Sequence, residues 1–149
     1  MDDTANPLED LNGFYFEDLK VGTTDQFSKT VSEGDIQTFA KVSGDVNPVH
    51  LNPEYAKGTV FKSCIAHGIL TASFISTAIG TRMPGPGCIY LAQSLKFKAP
   101  VRAGDMVKAV CTVTQLNESR KFAEIKTQCF VGDIMVVDGN ATVLVPSRG

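Results

Sequence analysis

The chain carries only two imidazoles, His50 and His67, and each stands among residues that could put it to use. Asp45 precedes His50 by five positions in Asp45-Val46-Asn47-Pro48-Val49-His50. A carboxylate and an imidazole aimed at one water make a general acid–base pair that works near neutral pH. On a straight helix this spacing would turn the two side chains about 140° apart, at ~100° per residue. An Asn-Pro turn can instead aim both into one pocket. The plainer alternative is that Gly44-Asp45 ends a helix, Asn47-Pro48 makes a turn, and His50 is a hydrogen-bonded packing residue.

His67-Gly68 opens a long apolar stretch, and a helix beginning there presents unpartnered N–H groups and partial positive charge. Glycine lets a ligand approach that backbone, so a developing oxyanion could be met there; tight packing alone would also call for glycine. Ser73, Ser76 and Thr77 on the same stretch are expected to bond back to carbonyls one turn earlier. Cys64 and His67, taken with His50 and Asp45, have no spacing specific for zinc. A Cys64–His67 nucleophile pair lacks an orienting third group. Neither G-x-x-x-x-G-K nor G-x-G-x-x-G occurs, so no phosphate-cradling loop is read.

The elements that must position these residues follow from periodicity. Phe27–Val31 alternates like a strand. Ser32, with Asp35 three residues on, starts a helix that Gly44 stops, with Ile36, Phe39 and Ala40 on one apolar face. Asn47-Pro48 and Asn52-Pro53 each pair an N-cap with a first-turn proline, which predicts two short turns back to back. Residues 65–80 hold no charge after His67 and are apolar or small all round, which predicts a buried helix. Strands are predicted over 89–99, with its odd positions on a buried face, and over 106–116, 122–131 and about 134–145. Gly132-Asp133 makes a hairpin turn, and Asp138-Gly139 suggests a bulge or kink. Helices segregated from an antiparallel sheet define an α+β domain. The far side of the apolar helix needs cover, from the short helices or from a second subunit.

At 149 residues the chain fits one domain, and 43% hydrophobic against 20% charged residues supplies a core. A net charge of −2 lacks the basic surface that nucleic acid requires, and no apolar run approaches the ~20 residues of a membrane span. The acidic opening, residues 1–12, reads as a flexible leader rather than a secretory or transit signal. Cys64, Cys88, Cys111 and Cys129 are widely spaced and read as reduced, buried thiols of a cytoplasmic protein.

The box Asp45-x-Asn47-Pro48-x-His50, then Ile65-Ala66-His67-Gly68-Ile69-Leu70, then Pro84-Gly85-Pro86-Gly87-Cys88-Ile89-Tyr90-Leu91, resembles the MaoC-like (R)-specific enoyl-CoA hydratases and 3-hydroxyacyl thioester dehydratases. The similarity runs from about Phe16 to Pro146. It implies a hot-dog fold over 13–149, an antiparallel sheet wrapped around one long apolar helix. It further implies that Asp45 and His50 hold one water, that Asn47 orders the turn, that the Gly68 amide binds a thioester carbonyl, and that Ser76 supports the pocket. No metal or cofactor is implied. The implied substrate is an acyl-CoA or acyl-carrier-protein thioester, and the implied assembly is a homodimer or larger. Acyl-carrier-protein dehydratase, hot-dog thioesterase and non-catalytic acyl-thioester-binding subunit are the alternatives. The second usually relies on a lone carboxylate or a Tyr, and the third is expected to have lost the Asp or the His.

Overall fold

Antiparallel pairing joins every neighbouring strand of a five-stranded sheet in the order β1-β3-β4-β5-β2. The strands are β1 Thr24–Thr30, β2 Ile89–Phe97, β3 Met106–Asn117, β4 Phe122–Val131 and β5 Ile134–Leu144. The computed structural model describes residues 7–149. Half of the predicted leader, residues 1–6, lies outside them; Glu9–Leu11 form one exposed 3-10 turn.

Period-two alternation puts Val107, Ala109, Cys111 and Val113 of β3, and Ala123, Ile125, Thr127 and Cys129 of β4, on one buried face. Across that face lies the helix Gly68–Thr81, which is α4; Leu70, Phe74, Ile75, Ala78 and Ile79 are its buried side. Leu70, Phe74, Ile75 and Ile79 each contribute about 1.5–3 kcal/mol when withdrawn from water. The result is the α+β hot-dog arrangement, with one hydrophobic cluster reaching from Phe16 to Val145. Among the described residues no helix is long and apolar enough to cross a membrane.

The shorter helices are locally determined. In α1 (Glu33–Ser43) the Ser32 hydroxyl accepts from the Asp35 amide at 3.0 Å, and the Asp35 carboxylate accepts from the Ser32 amide at 3.0 Å. That bond to the Ser32 backbone holds the Asp35 carboxyl below its ordinary range. Gly44 ends α1 in the left-handed region at φ 81°, where a side chain would be strained. The two Asn-Pro pairs become α2 (Pro48–Leu51) and α3 (Pro53–Lys57).

Three expectations are corrected. The odd positions of β2 do not share one buried face: the register breaks at Leu91, so Ile89 stands on the opposite face from Gln93, Leu95 and Phe97, and on this edge strand beyond β5 Ile89, Leu91 and Phe97 are 54%, 48% and 53% exposed. Likewise α4 buries one side only, and Gly68, Ile69, Ser76 and Gly80 are exposed on the other. Gly139 marks no kink. It pairs in register with Leu95 and Thr127, and the break lies between Cys129 and Phe130, where Val136 and Val137 are both buried. A Cβ at Gly139 would collide with the Ser94 carbonyl oxygen.

All four cysteines are free; Cys64 and Cys88 are only half-buried. Burial pushes the Cys111 and Cys129 thiols up to about 12, with Asp25 adding to the first and Cys111 to the second, so both remain protonated.

Gly139→Ala should destabilise the protein by roughly 1–3 kcal/mol, the range for overpacking, since the obstacle is backbone and cannot swing aside. Urea unfolding of the variant against the parent measures this.

Candidate active site

Beyond Gly44 the chain is held by a ladder of short bonds. The Asp45 amide donates to the Ser43 hydroxyl at 3.1 Å, and the Asn47 amide donates to Asp45 Oδ1 at 3.2 Å. Asn47 Oδ1 then caps α2 by accepting from the Val49 amide at 3.2 Å, and the His50 amide donates to the Asn47 carbonyl at 3.0 Å. Pro48 suits the first helical position because the N–H it lacks would have no partner there. This geometry points the Asp45 carboxylate and the His50 ring at common space despite their spacing.

Both imidazoles are oriented by backbone carbonyls. His50 Nδ1 lies 2.8 Å from the Ile65 carbonyl oxygen. A carbonyl can only accept, so Nδ1 carries the proton and Nε2 of the neutral ring keeps its lone pair. His67 Nε2 lies 2.9 Å from the Asp45 carbonyl oxygen and donates in the same way. The two rings stack with centroids 3.8 Å apart and planes within 28°. His67 is 2% exposed, with the Phe39 ring 4.8 Å away on its other side. Asp45, His50 and His67 each place a donor atom within 4.8 Å of the others.

One carboxylate and two imidazoles are also a metal's donor set. Zinc binds in the plane of each imidazole at ~2.0–2.1 Å. Stacked rings direct their lone pairs side by side and do not converge on one ion. The cluster therefore suits proton transfer to and from a small molecule better than it suits a cation.

Gly68 opens α4 with no acceptor among the described residues in reach of its amide. The Phe97 ring covers it so closely that a Cβ would come 2.7 Å from two ring carbons. Together with Phe61, Ile65, Ile69 and Val137 they line an apolar cavity of about 370 Å³. His50 lines a second cavity of about 490 Å³, more polar than the first, with Glu33, Lys57, Lys62, Cys64 and Arg102. Arg102 braces this wall, donating to Ser63 Oγ and to the Phe61 carbonyl, each at 2.8 Å.

Of the residues singled out from the sequence, the fold brings Asp45, Asn47 and His50 together and ties them to the start of α4 beside Gly68. Ser76 is not gathered there; it is exposed two turns further on, along the side that Ile69 begins. Sequence reasoning passed over His67 as a site residue and missed Phe97. The only signal for Phe97 was the alternation that put odd positions of β2 on one face.

Residues 19–132 match the model of the MaoC like domain, and the chain belongs to that family. It is 55% identical over 141 residues to the (R)-specific enoyl-CoA hydratase of Rhodospirillum rubrum, covering 95% of this chain and 98% of that one. It is 46% identical to the 3-hydroxybutyryl-CoA dehydratase of Methylorubrum extorquens, over 95% of this chain and 90% of the other. The fold superposes on the unliganded R-hydratase PhaJ1 of Pseudomonas aeruginosa with a TM-score of 0.87 at 40% identity, over 93% and 89% of the two chains.

Gly68→Val should leave the fold intact, with stability within about 1 kcal/mol of the parent. The side chain meets the far end of a movable Phe97 ring, and valine is no worse than glycine in a helix. Thermal unfolding checks this.

Proposed function

We propose that the protein is a hydro-lyase that adds water to a trans-2-enoyl thioester, giving the (R)-3-hydroxyacyl thioester, and runs the reverse. One observation carries the reading: Asp45 and the lone-pair nitrogen of His50 share a turn, in a chain 55% identical along nearly its whole length to an (R)-specific enoyl-CoA hydratase. The pair takes a proton from one water as its oxygen attacks Cβ. The double-bond electrons move toward the thioester oxygen, and Cα then receives a proton from the same pair. The Gly68 N–H and the α4 dipole meet the charge on that oxygen. Asn47 keeps the turn in shape. The apolar cavity receives the acyl chain, and Ser76, outside its lining on the exposed side of α4, is proposed only to support the pocket from there.

Coenzyme A is the carrier in the names of both relatives, and we take it as the carrier here rather than acyl carrier protein. The basic side chains lining the polar cavity suit its phosphates. We place the protein in the cytoplasm, where four free thiols persist. We also propose a homodimer, in which the second copy covers the apolar edge of β2 and the open side of α4.

Crotonyl-CoA tests the reaction: loss of the enoyl absorbance without free thiol is hydration, release of thiol is hydrolysis, and no change means a binder. Asp45→Asn and His50→Ala should each lower turnover about 10²–10⁴-fold with the fold intact. The double mutant should be little worse than either, because the groups act as a unit on one water. Near-parent turnover in either single mutant overturns the assignment. Gly68→Val should lose about 10²–10³-fold, the worth of one oxyanion donor. Sedimentation should give twice the 16.0 kDa chain mass; a stable, active monomer would sink the dimer.

A further inference from the structure

We propose that His67 is a positioning residue for the reaction, holding Asp45, His50 and the Gly68 amide in one register. The proposal rests on the reading of Asp45 and His50 as the acid–base pair.

An imidazole at this position supplies a hydrogen-bond donor that a hydrocarbon would not. His67 is 2% exposed, between the rings of Phe39 and His50, a place a phenyl ring could fill. Its Nδ1 is buried with no hydrogen-bond partner among the described residues. An unpaired buried acceptor is destabilising, so packing alone does not favour histidine. Among the described residues, the one bond that the imidazole makes is from Nε2–H to the Asp45 carbonyl, across 22 positions of sequence.

That bond has a specific consequence. The Asp45 amide is already fixed by Ser43 Oγ, and His67 fixes the carbonyl. Both ends of the residue are then pinned, and its carboxylate swings only about its own side-chain bonds. The ring of His67 also lies 3.8 Å from that of His50 and sets its plane, while the Ile65 carbonyl sets its rotation. Finally, the Gly68 N–H belongs to the peptide that His67 itself begins. One residue thus touches the carboxylate's backbone by a hydrogen bond, the base by stacking, and the oxyanion donor by a covalent bond. His67 takes no part in proton transfer, because one nitrogen is committed to a carbonyl and the other is enclosed.

The test separates the ring from the donor. His67→Phe keeps a ring over His50 and removes the N–H. His67→Gln keeps an amide N–H near the place of Nε2, whereas His67→Asn reaches only the place of Nδ1. For His67→Phe on crotonyl-CoA, kcat should fall about 10²-fold, the effect of a reacting group displaced by about 1 Å, with KM nearly unchanged and an unaltered or raised melting temperature. His67→Gln should recover at least about tenfold of that loss, and His67→Asn should not. In a His50→Ala background, His67→Phe should add almost nothing, since it acts through the pair. Parent-level kcat in His67→Phe, equal activity of the Gln and Asn variants, or a full additional loss in the His50→Ala background would each overturn the proposal. If His67→Phe does not fold, the Gln-against-Asn comparison decides alone. Failure of the underlying reading looks different: His50→Ala itself would then keep parent activity, whatever His67 does.

Discussion

The extended run Ile65-Ala66-His67, wedged between α2 and the chain near Val101, is the constraint on which the site depends. Its buried peptide groups must be paired. The Ile65 amide donates to the Val49 carbonyl at 3.3 Å and the Ala66 amide to the Val101 carbonyl at 2.7 Å. The Ile65 carbonyl takes the His50 ring, and the His67 carbonyl takes the Thr71 amide at 3.2 Å to start α4. The segment is thus stitched on one side to the turn that carries Asp45 and His50, and on the other to the connection between β2 and β3. Burial of Phe74, Ile75 and Ile79 against β1, β3 and β4 fixes where α4 begins. Hydrophobic packing of the helix thereby sets the position of a polar site at its end.

The same packing leaves a remainder. One helix lies mainly against β1, β3 and β4 and meets β2 near Phe97, so much of the edge strand β2 and the outer side of α4 stay open within the single chain. Exposed Ile89, Leu91 and Phe97 along an edge strand would invite aggregation if nothing covered them. Phe97 belongs to both problems, since it roofs Gly68 and stands on the uncovered edge. A partner seated on β2 would therefore also set the shape of the apolar cavity, which links assembly to substrate fit.

Features that local chemistry determines were legible in the sequence. Ser32 with Asp35, Gly44 and the two Asn-Pro pairs each act within four residues, and each forms the cap, stop or turn its type predicts. The exposure of β2 was not legible, because it depends on strand order, and the bulge at Leu91 breaks the alternation that would say which positions share a face. Gly139 was misread for a related reason: a glycine required by the close approach of Ser94 looks in sequence like one required by a bend. Asp45 and His50 could be nominated by type but not ranked by physics, and the resemblance ranked them. The bond from His67 to Asp45 was invisible, since its acceptor is a main-chain carbonyl, which leaves no mark on residue identity.

The choice of carbonyls as orienting groups also shapes the chemistry. In a hydrolytic triad a carboxylate orients the imidazole and is thereby used up. Here the Ile65 carbonyl does that task for His50, so the Asp45 carboxylate is not spent on an imidazole. Among the described residues it keeps only the bond from the Asn47 amide to one oxygen. Hydration needs a proton removed from water and a proton delivered to carbon in the same encounter, so two titratable groups must face one site. On the proposed mechanism, handing orientation to neutral backbone acceptors lets a single short turn supply both.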